Sequence, residues 1–168
     1  MGFVPIILGS RSDLAHGEAI AAALRAFGIE STIRIASAHK AARHLLDLLA
    51  AYEADARPKV YVTVAGRSNA LSGMVDANVS APVIACPPYS ERFGGADIYS
   101  SLRMPSGVAP AVVLEPGGAA LLAAKILAMG DAELRQRVTQ AQAAATRQIV
   151  ADDAITNGAV GSEVGGAG

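Results

Sequence analysis

The sequence predicts an α/β fold: a doubly wound parallel sheet held between two layers of helices, a three-layer α/β/α sandwich. Three observations carry that reading. Short, near-continuous apolar runs rich in β-branched residues recur along the chain, and segments with apolar residues at helical spacing alternate with them. The 168 residues have room for one domain with a real core and none for a second. Apolar strands of this kind belong to parallel sheets covered on both faces, and right-handed crossovers leave the doubly wound sandwich as the natural solution.

Taken in order, Phe3 to Leu8 is the first apolar run and ends in Gly9-Ser10. Ile20, Leu24 and Phe27 follow at helical spacing up to Gly28, which suits a helix C-cap. Ile33 to Ala36 and Val60 to Val64 read as the second and third strands, separated by Leu45, Leu46, Leu48, Leu49 and Tyr52 at helix period. A short helical stretch after Ser68 leads to a fourth strand, Pro82 to Cys86. A fifth, Ala111 to Leu114, precedes an Ala/Leu-rich helix from Gly118 to Met129. That helix is apolar on almost every side, more than one sheet face covers, so self-association is expected to bury the rest. Residues 1–130 thus form the α/β domain and 131–153 a charged C-terminal helix. Residues 154–168, with five glycines and no core-forming pattern, read as a mobile tail.

Composition excludes several classes of function. A net charge of -1, three Phe, four Tyr and no Trp leave no broad basic face interleaved with aromatics, so nucleic acid is not expected as a partner and any anion site must be local. Although 52% of residues are hydrophobic, charged residues interrupt every apolar run well short of the roughly 18 needed to span a bilayer. Met1 to Ile6 lacks the basic start and cleavage site of a signal peptide, so a cytoplasmic location and no membrane contact are expected. Cys86 is alone and only three His are present, which offers neither a disulfide nor a Cys/His metal spacing. No metal is expected.

Open parallel sheets bind ligands beyond the carboxyl ends of their strands, which directs attention to the loops there. After strand one, Gly9-Ser10-Arg11-Ser12-Asp13 places two hydroxyls and an acid at a helix start, where backbone N–H groups and the helix dipole attract phosphate; plain N-capping is the alternative. The chain has no Walker loop and no G-x-G-x-x-G after strand one, so nucleoside triphosphates and NAD lose support. After strand two comes Ser37-Ala38-His39-Lys40. A helix N-terminus and Lys40 both disfavour positive charge on His39, which suits a proton-transfer group, against the alternative of a solvated side chain. His16 and His44 lie on helices and are weaker candidates.

After strand three, Ala65-Gly66-Arg67-Ser68-Asn69-Ala70 nearly spells a nucleophile elbow. The fifth position is Ala70 rather than Gly, and no His follows the serine to complete a triad, so a hydrolase is excluded. Ser68 and Asn69 then read as hydrogen-bond donors to a ligand, and Arg67 as an anion contact or a solvated charge. After strand four, the long segment Cys86 to Asp97, stiffened by Pro87 and Pro88 and hinged at Gly94 and Gly95, looks like a lid. Cys86 itself reads as structural, with no His beside it in sequence.

The loops Gly9 to Asp13, Ser37 to Lys40 and Ala65 to Asn69, together with Asp97-Ile98-Tyr99-Ser100-Ser101-Leu102-Arg103-Met104-Pro105-Ser106-Gly107, closely resemble the 5-aminoimidazole ribonucleotide carboxylase family of purine biosynthesis over residues 3 to about 130. The resemblance implies a flavodoxin-like sandwich assembled as a homo-octamer. It implies His39 and Lys40 as catalytic groups, and Gly9, Ser10, Ser12, Asp13, Ser37, Ala38, Gly66, Arg67, Ser68 and Asn69 as substrate contacts. Ser12 would meet the phosphate and Asp13 the ribose hydroxyls. No cofactor is implied: the family's direct carboxylases use neither ATP, biotin nor metal.

The family's mutase class, which moves a carboxyl group from N5-carboxyaminoimidazole ribonucleotide, typically carries Ser-Ala-His-Arg and Ala-Gly-Gly-Ala-Ala-His. Here Lys40, Arg67-Ser68-Asn69 and Ala70 depart from that pattern, while Cys86-Pro87-Pro88 and Ser101 to Gly107 look like the class that uses carbon dioxide directly. Direct carboxylation is therefore the expected activity, as in the animal enzymes, although the chain lacks the synthetase domain fused to those. The mutase and a non-catalytic ribonucleotide binder are the alternatives.

Overall fold

The computed structural model describes residues 2–163, with side chains described to residue 157. Its elements are β1 (Phe3–Leu8), α1 (Leu14–Ala26), β2 (Glu30–Ile35), α2 (Ala42–Glu53), β3 (Tyr61–Val64) and α3 (Ala70–Asp76). They continue through β4 (Val83–Ala85), α4 (Tyr99–Leu102), β5 (Ala111–Val112), α5 (Pro116–Leu127) and α6 (Ala132–Glu163). The five strands are all parallel and ordered β2-β1-β3-β4-β5. This is the flavodoxin-like doubly wound order, with its topological switch point between β1 and β3.

Period-two alternation in β1 divides the core between the two faces of the sheet. Val4, Ile6 and Leu8 pack with α1, α5 and the start of α6, whereas Ile7 packs with α2 and α3. The end of α1 is a Schellman motif: Gly28, at φ +69°, donates to Arg25 O at 2.9 Å, and Ile29 N–H reaches back to Leu24 O at 3.1 Å. Earlier in the same helix, a Cβ on Gly17 would stand 2.8 Å from Leu8 Cδ2, the end of a buried side chain, so a larger residue there requires Leu8 to shift.

Strand β2 begins at Glu30, ahead of the expected Ile33, because it pairs along the whole of β1 from Phe3↔Glu30 to Leu8↔Ile35. It is an edge strand, and its polar residues Glu30, Ser31, Thr32 and Arg34 interrupt the apolar signal. The other edge, β5, is shorter than expected, at two residues. Helix α5 starts at Pro116, where the fixed φ of proline suits a first helical position. Its alanines 119, 120, 123 and 124 are fully buried against the sheet, α1 and α6. Leu121, Leu122 and Ile126 of the same helix are only partly buried and Met129 just beyond it is exposed, so part of its apolar surface stays uncovered by the chain.

The C-terminal helix runs past Asp153 to Glu163, into the expected tail. The glycines of that segment do not stop the helix, which passes through Gly158 and Gly161. Residues 164–168 of that tail lie outside the described residues. Leu134 and Val138 pack on the core, while from Thr139 to Asn157 every side chain is exposed. Among the described residues no helix is long and apolar enough to cross a membrane.

Candidate active site

Backbone hydrogen bonds beyond the ladder draw the strands' carboxyl ends level. Gly9 N–H donates to Val64 O at 2.8 Å, Ala36 N–H to Leu8 O at 2.9 Å, and Cys86 N–H to Thr63 O at 2.8 Å. A Cβ at Gly9 would come 3.2 Å from that of Ala65, so the loops after β1 and β3 touch there through a missing side chain. The four loops singled out from sequence consequently stand side by side at one end of the sheet, around the switch point.

In the first loop, Arg11–Asp13 forms a single 3-10 turn ahead of α1. Ser12 N–H donates to Ser10 Oγ at 3.0 Å, the two hydroxyls lie 2.7 Å apart, Asp13 N–H donates to Ser10 O, and Leu14 N–H to Arg11 O. Several of the N–H groups expected to be open to a phosphate are thus used within the turn, and the exposed hydroxyls of Ser10 and Ser12 are what the loop offers. Asp13 makes no side-chain cap bond to α1. Partial burial lifts its carboxyl above the ordinary range, while hydrogen bonds from Ser10 and Ser12 and the nearby His16 and Arg67 pull it back.

The Ser37-Lys40 segment is a turn closed by Ala41 N–H donating to Ser37 O at 2.9 Å and Lys40 N–H to Ser37 Oγ at 3.3 Å. His39 and Lys40 are exposed on it, with Ala38 half-buried beneath. Helix α2 begins only at Ala42, with Ala41 as its N-cap. His39 therefore stands ahead of the helix rather than in its first turn.

In the third loop Gly66 is half-buried, and Arg67 and Ser68 are exposed. Arg67 sits at φ +58°, a left-handed conformation that a non-glycine residue adopts at a cost, and such strain gathers where a site needs a particular geometry. Asn69 departs from its expected role as a ligand donor. It is only 4% exposed, its Oδ1 caps α3 by accepting Ser72 N–H at 3.1 Å, and its Nδ2 donates to Ser101 Oγ at 2.9 Å. Ser100 Oγ accepts from Asn69 N–H at 2.9 Å and lies within hydrogen-bond reach of Arg67 O and Asp97 O. Asn69 fastens the β3 loop to α4 and fixes its neighbours instead of facing a ligand.

His16, a weaker candidate in sequence because it lies on a helix, stands at the site. Helix α1 carries it one turn beyond Asp13, on the same face, and sets its Nε2 3.4 Å from Cys86 Sγ at the end of β4. Burial disfavours the charged imidazole and lowers its proton affinity; Asp13 and Glu115 oppose the shift. The spacing Asp13-x-x-His16 at a helix start was the available signal. Cys86 is fully buried, donates to Leu114 O at 3.6 Å, and has its thiol pushed up to about 12 by burial, which fits a structural role even though His16 stands against it. Beside these two residues a cavity of about 430 Å³ opens between the loops after β3, β4 and β5. Of the site residues selected from sequence, Gly66 alone lines it.

Comparison with known proteins bears on the family and the fold. The chain is 56% identical over 150 residues to a phosphoribosylaminoimidazole carboxylase of Treponema denticola, covering 89% of this chain and 94% of that protein. It is equally identical over 148 residues to a protein of the same name from Archaeoglobus fulgidus, covering 88% and 81%. The crystal structure of Treponema denticola PurE superposes with a TM-score of 0.90 at 55% identity, over 92% of this chain and 98% of that one. The model of the family described as AIR carboxylase matches residues 3–148, beyond the reach of the sequence motifs and into α6, and with that match the chain belongs to the AIR carboxylase family.

Proposed function

We propose that the protein is a phosphoribosylaminoimidazole carboxylase of de novo purine biosynthesis, adding carbon dioxide directly and reversibly to C4 of 5-aminoimidazole ribonucleotide. The observation that supports this most is the meeting, in a chain of this family, of the Ser37-Lys40 turn with the Ser10-Asp13 and Gly66-Ser68 loops at one sheet end.

An aminoimidazole is an electron-rich enamine. Its C4 attacks the carbon of carbon dioxide, the new C–C bond forms, and one C=O electron pair moves onto oxygen to give the carboxylate. Aromaticity returns when the C4 proton leaves. His39 takes that proton and, in reverse, its imidazolium returns it, a role that contributes about 10²- to 10⁴-fold. Lys40 stabilises the carboxylate as it develops. The chemistry needs no ATP, biotin or metal. The hydroxyls of Ser10 and Ser12 bind the phosphate and Asp13 the ribose hydroxyls. Gly9, Ser37, Ala38, Gly66, Arg67 and Ser68 shape the pocket, and Asn69 contributes by holding that loop. A cytoplasmic homo-octamer belongs to the same reading; exposed Tyr99, Leu102, Ile149 and Val150 supply apolar surface for association.

The test is to follow the C4-carboxylated product from 5-aminoimidazole ribonucleotide with carbon dioxide, and separately from the N5-carboxy compound alone. Turnover from the first pair is expected. Turnover only of the N5-carboxy compound would make the protein a mutase, and turnover of neither would make it a binder. His39→Asn should abolish turnover yet bind substrate.

A further inference from the structure

Arg67 is held in a conformation that an arginine disfavours, and the group that holds it belongs to another element. At φ +58° its Cβ crowds the backbone, a cost that glycine escapes. The residue is exposed, so packing of its side chain does little to offset that strain. Among the described residues its backbone takes part in one hydrogen bond, which Ser100 Oγ donates to its carbonyl at 3.0 Å.

Ser100 sits on α4, 33 residues further along the chain. Its oxygen also accepts Asn69 N–H at 2.9 Å, so one hydroxyl grips the β3 loop on both sides of Ser68. A hydroxyl has a single proton, and a second carbonyl lies in its reach: Asp97 O at 2.8 Å, the common bond of a serine back to the turn before it. That local bond alone would satisfy the donor. With the proton on Asp97 O, Arg67 O is released and its backbone is free to relax toward negative φ. With the proton on Arg67 O, the left-handed turn is fixed. Gly66 and Ser68 flank Arg67, so the dihedrals of that one residue set how the two are disposed toward each other.

We propose that Ser100 is a positioning residue, which by bonding Arg67 O and Asn69 N–H keeps Arg67 left-handed and so holds Gly66, Arg67 and Ser68 in the arrangement that receives the ribonucleotide. It acts through the loop and not on the substrate. The assignment rests on the proposed placing of the ribonucleotide at this loop. Its consequence is a population: a loop that is competent for only part of the time weakens binding by the inverse of that fraction. The strain of a left-handed arginine, with nothing to oppose it, leaves about one loop in ten competent.

The test is a double-mutant cycle on the full chain: wild type, Ser100→Ala, Arg67→Gly and the two together, each titrated with 5-aminoimidazole ribonucleotide by ligand-observed NMR, which reads Kd into the millimolar range. Urea midpoints on the same samples report folding. Ser100→Ala should raise Kd about tenfold. In the Arg67→Gly background the same change should raise it by less than about twofold, because glycine takes the left-handed region without strain and needs no bond to stay there. Arg67→Gly has its own effect on Kd through the lost guanidinium, and the cycle cancels it. A Ser100 that merely stabilised the fold would lower the urea midpoint and raise Kd by the same factor in both backgrounds. That result, or an unchanged Kd in Ser100→Ala, overturns the positioning role and leaves the carboxylase standing. A wild type that binds the ribonucleotide but does not carboxylate it removes the carboxylase alone, and the cycle still decides on Ser100. A wild type that does not bind the ribonucleotide overturns both.

Discussion

Replacing Asn69 by Ala tests whether this residue serves the fold or the ligand. Its side chain is 4% exposed and makes two bonds, accepting Ser72 N–H at 3.1 Å and donating to Ser101 Oγ at 2.9 Å. Losing the helix cap costs about 1 kcal/mol. Losing the buried bond to Ser101, which leaves that hydroxyl short of a partner, costs about 1–2 kcal/mol more. The total of about 2–3 kcal/mol corresponds to a melting temperature lower by roughly 4–12 °C for a domain of this size. Urea unfolding at fixed protein concentration reads the stability, and steady-state kinetics on the same samples reads KM. A loss below about 0.5 kcal/mol accompanied by a large rise in KM for the ribonucleotide would refute the internal assignment and return Asn69 to the ligand.

Three other perturbations separate site from scaffold. Arg67→Gly relieves a left-handed φ of +58° and should be neutral or stabilising by up to about 1 kcal/mol in urea, while KM for the ribonucleotide rises if the guanidinium touches it. Asp13 has a folded pKa raised above its ordinary 3.8, so its contribution to stability is present below that pH and is lost as pH rises through the folded value. Asp13→Asn should therefore raise the urea midpoint at pH 7 relative to wild type, less so at pH 3, and weaken substrate binding; an unchanged midpoint at pH 7 would remove the burial argument. Cys86, buried and with its thiol pushed up to about 12, should resist iodoacetamide at pH 8 in the folded protein and react promptly in urea, as followed by mass spectrometry.

The sheet was readable because β1, β3 and β4 are buried on both faces, so their runs are apolar save for the β-branched Thr63. Strand β2 lost its first half to the eye because an edge strand needs no such run. In the site, Ser10, Ser12, Ser37 and Gly66 declared themselves by position at strand ends, which is a local property. His16 and Asn69 did not. The importance of His16 lies in a contact with Cys86, 70 residues away in sequence, and the commitment of Asn69 in one with Ser101, 32 residues away. Pairings of that kind are decided by the order of strands in the sheet, and no spacing along the chain encodes them. Helix α6 was expected to end at Asp153 because the five glycines of residues 154–168 and their lack of a core-forming pattern read as a tail, yet cooperative helix growth carries it on to Glu163.

Gly17 carries a consequence for how such a chain can vary. Asp13 and His16 reach their places because α1 rests on Leu8 with no methyl group between them. A saturation scan for growth without added purines would find position 17 sensitive to side-chain size, although glycine there offers nothing to a substrate. Scores of that kind would mark it as a chemical residue, when what it supplies is the distance at which the chemistry is held.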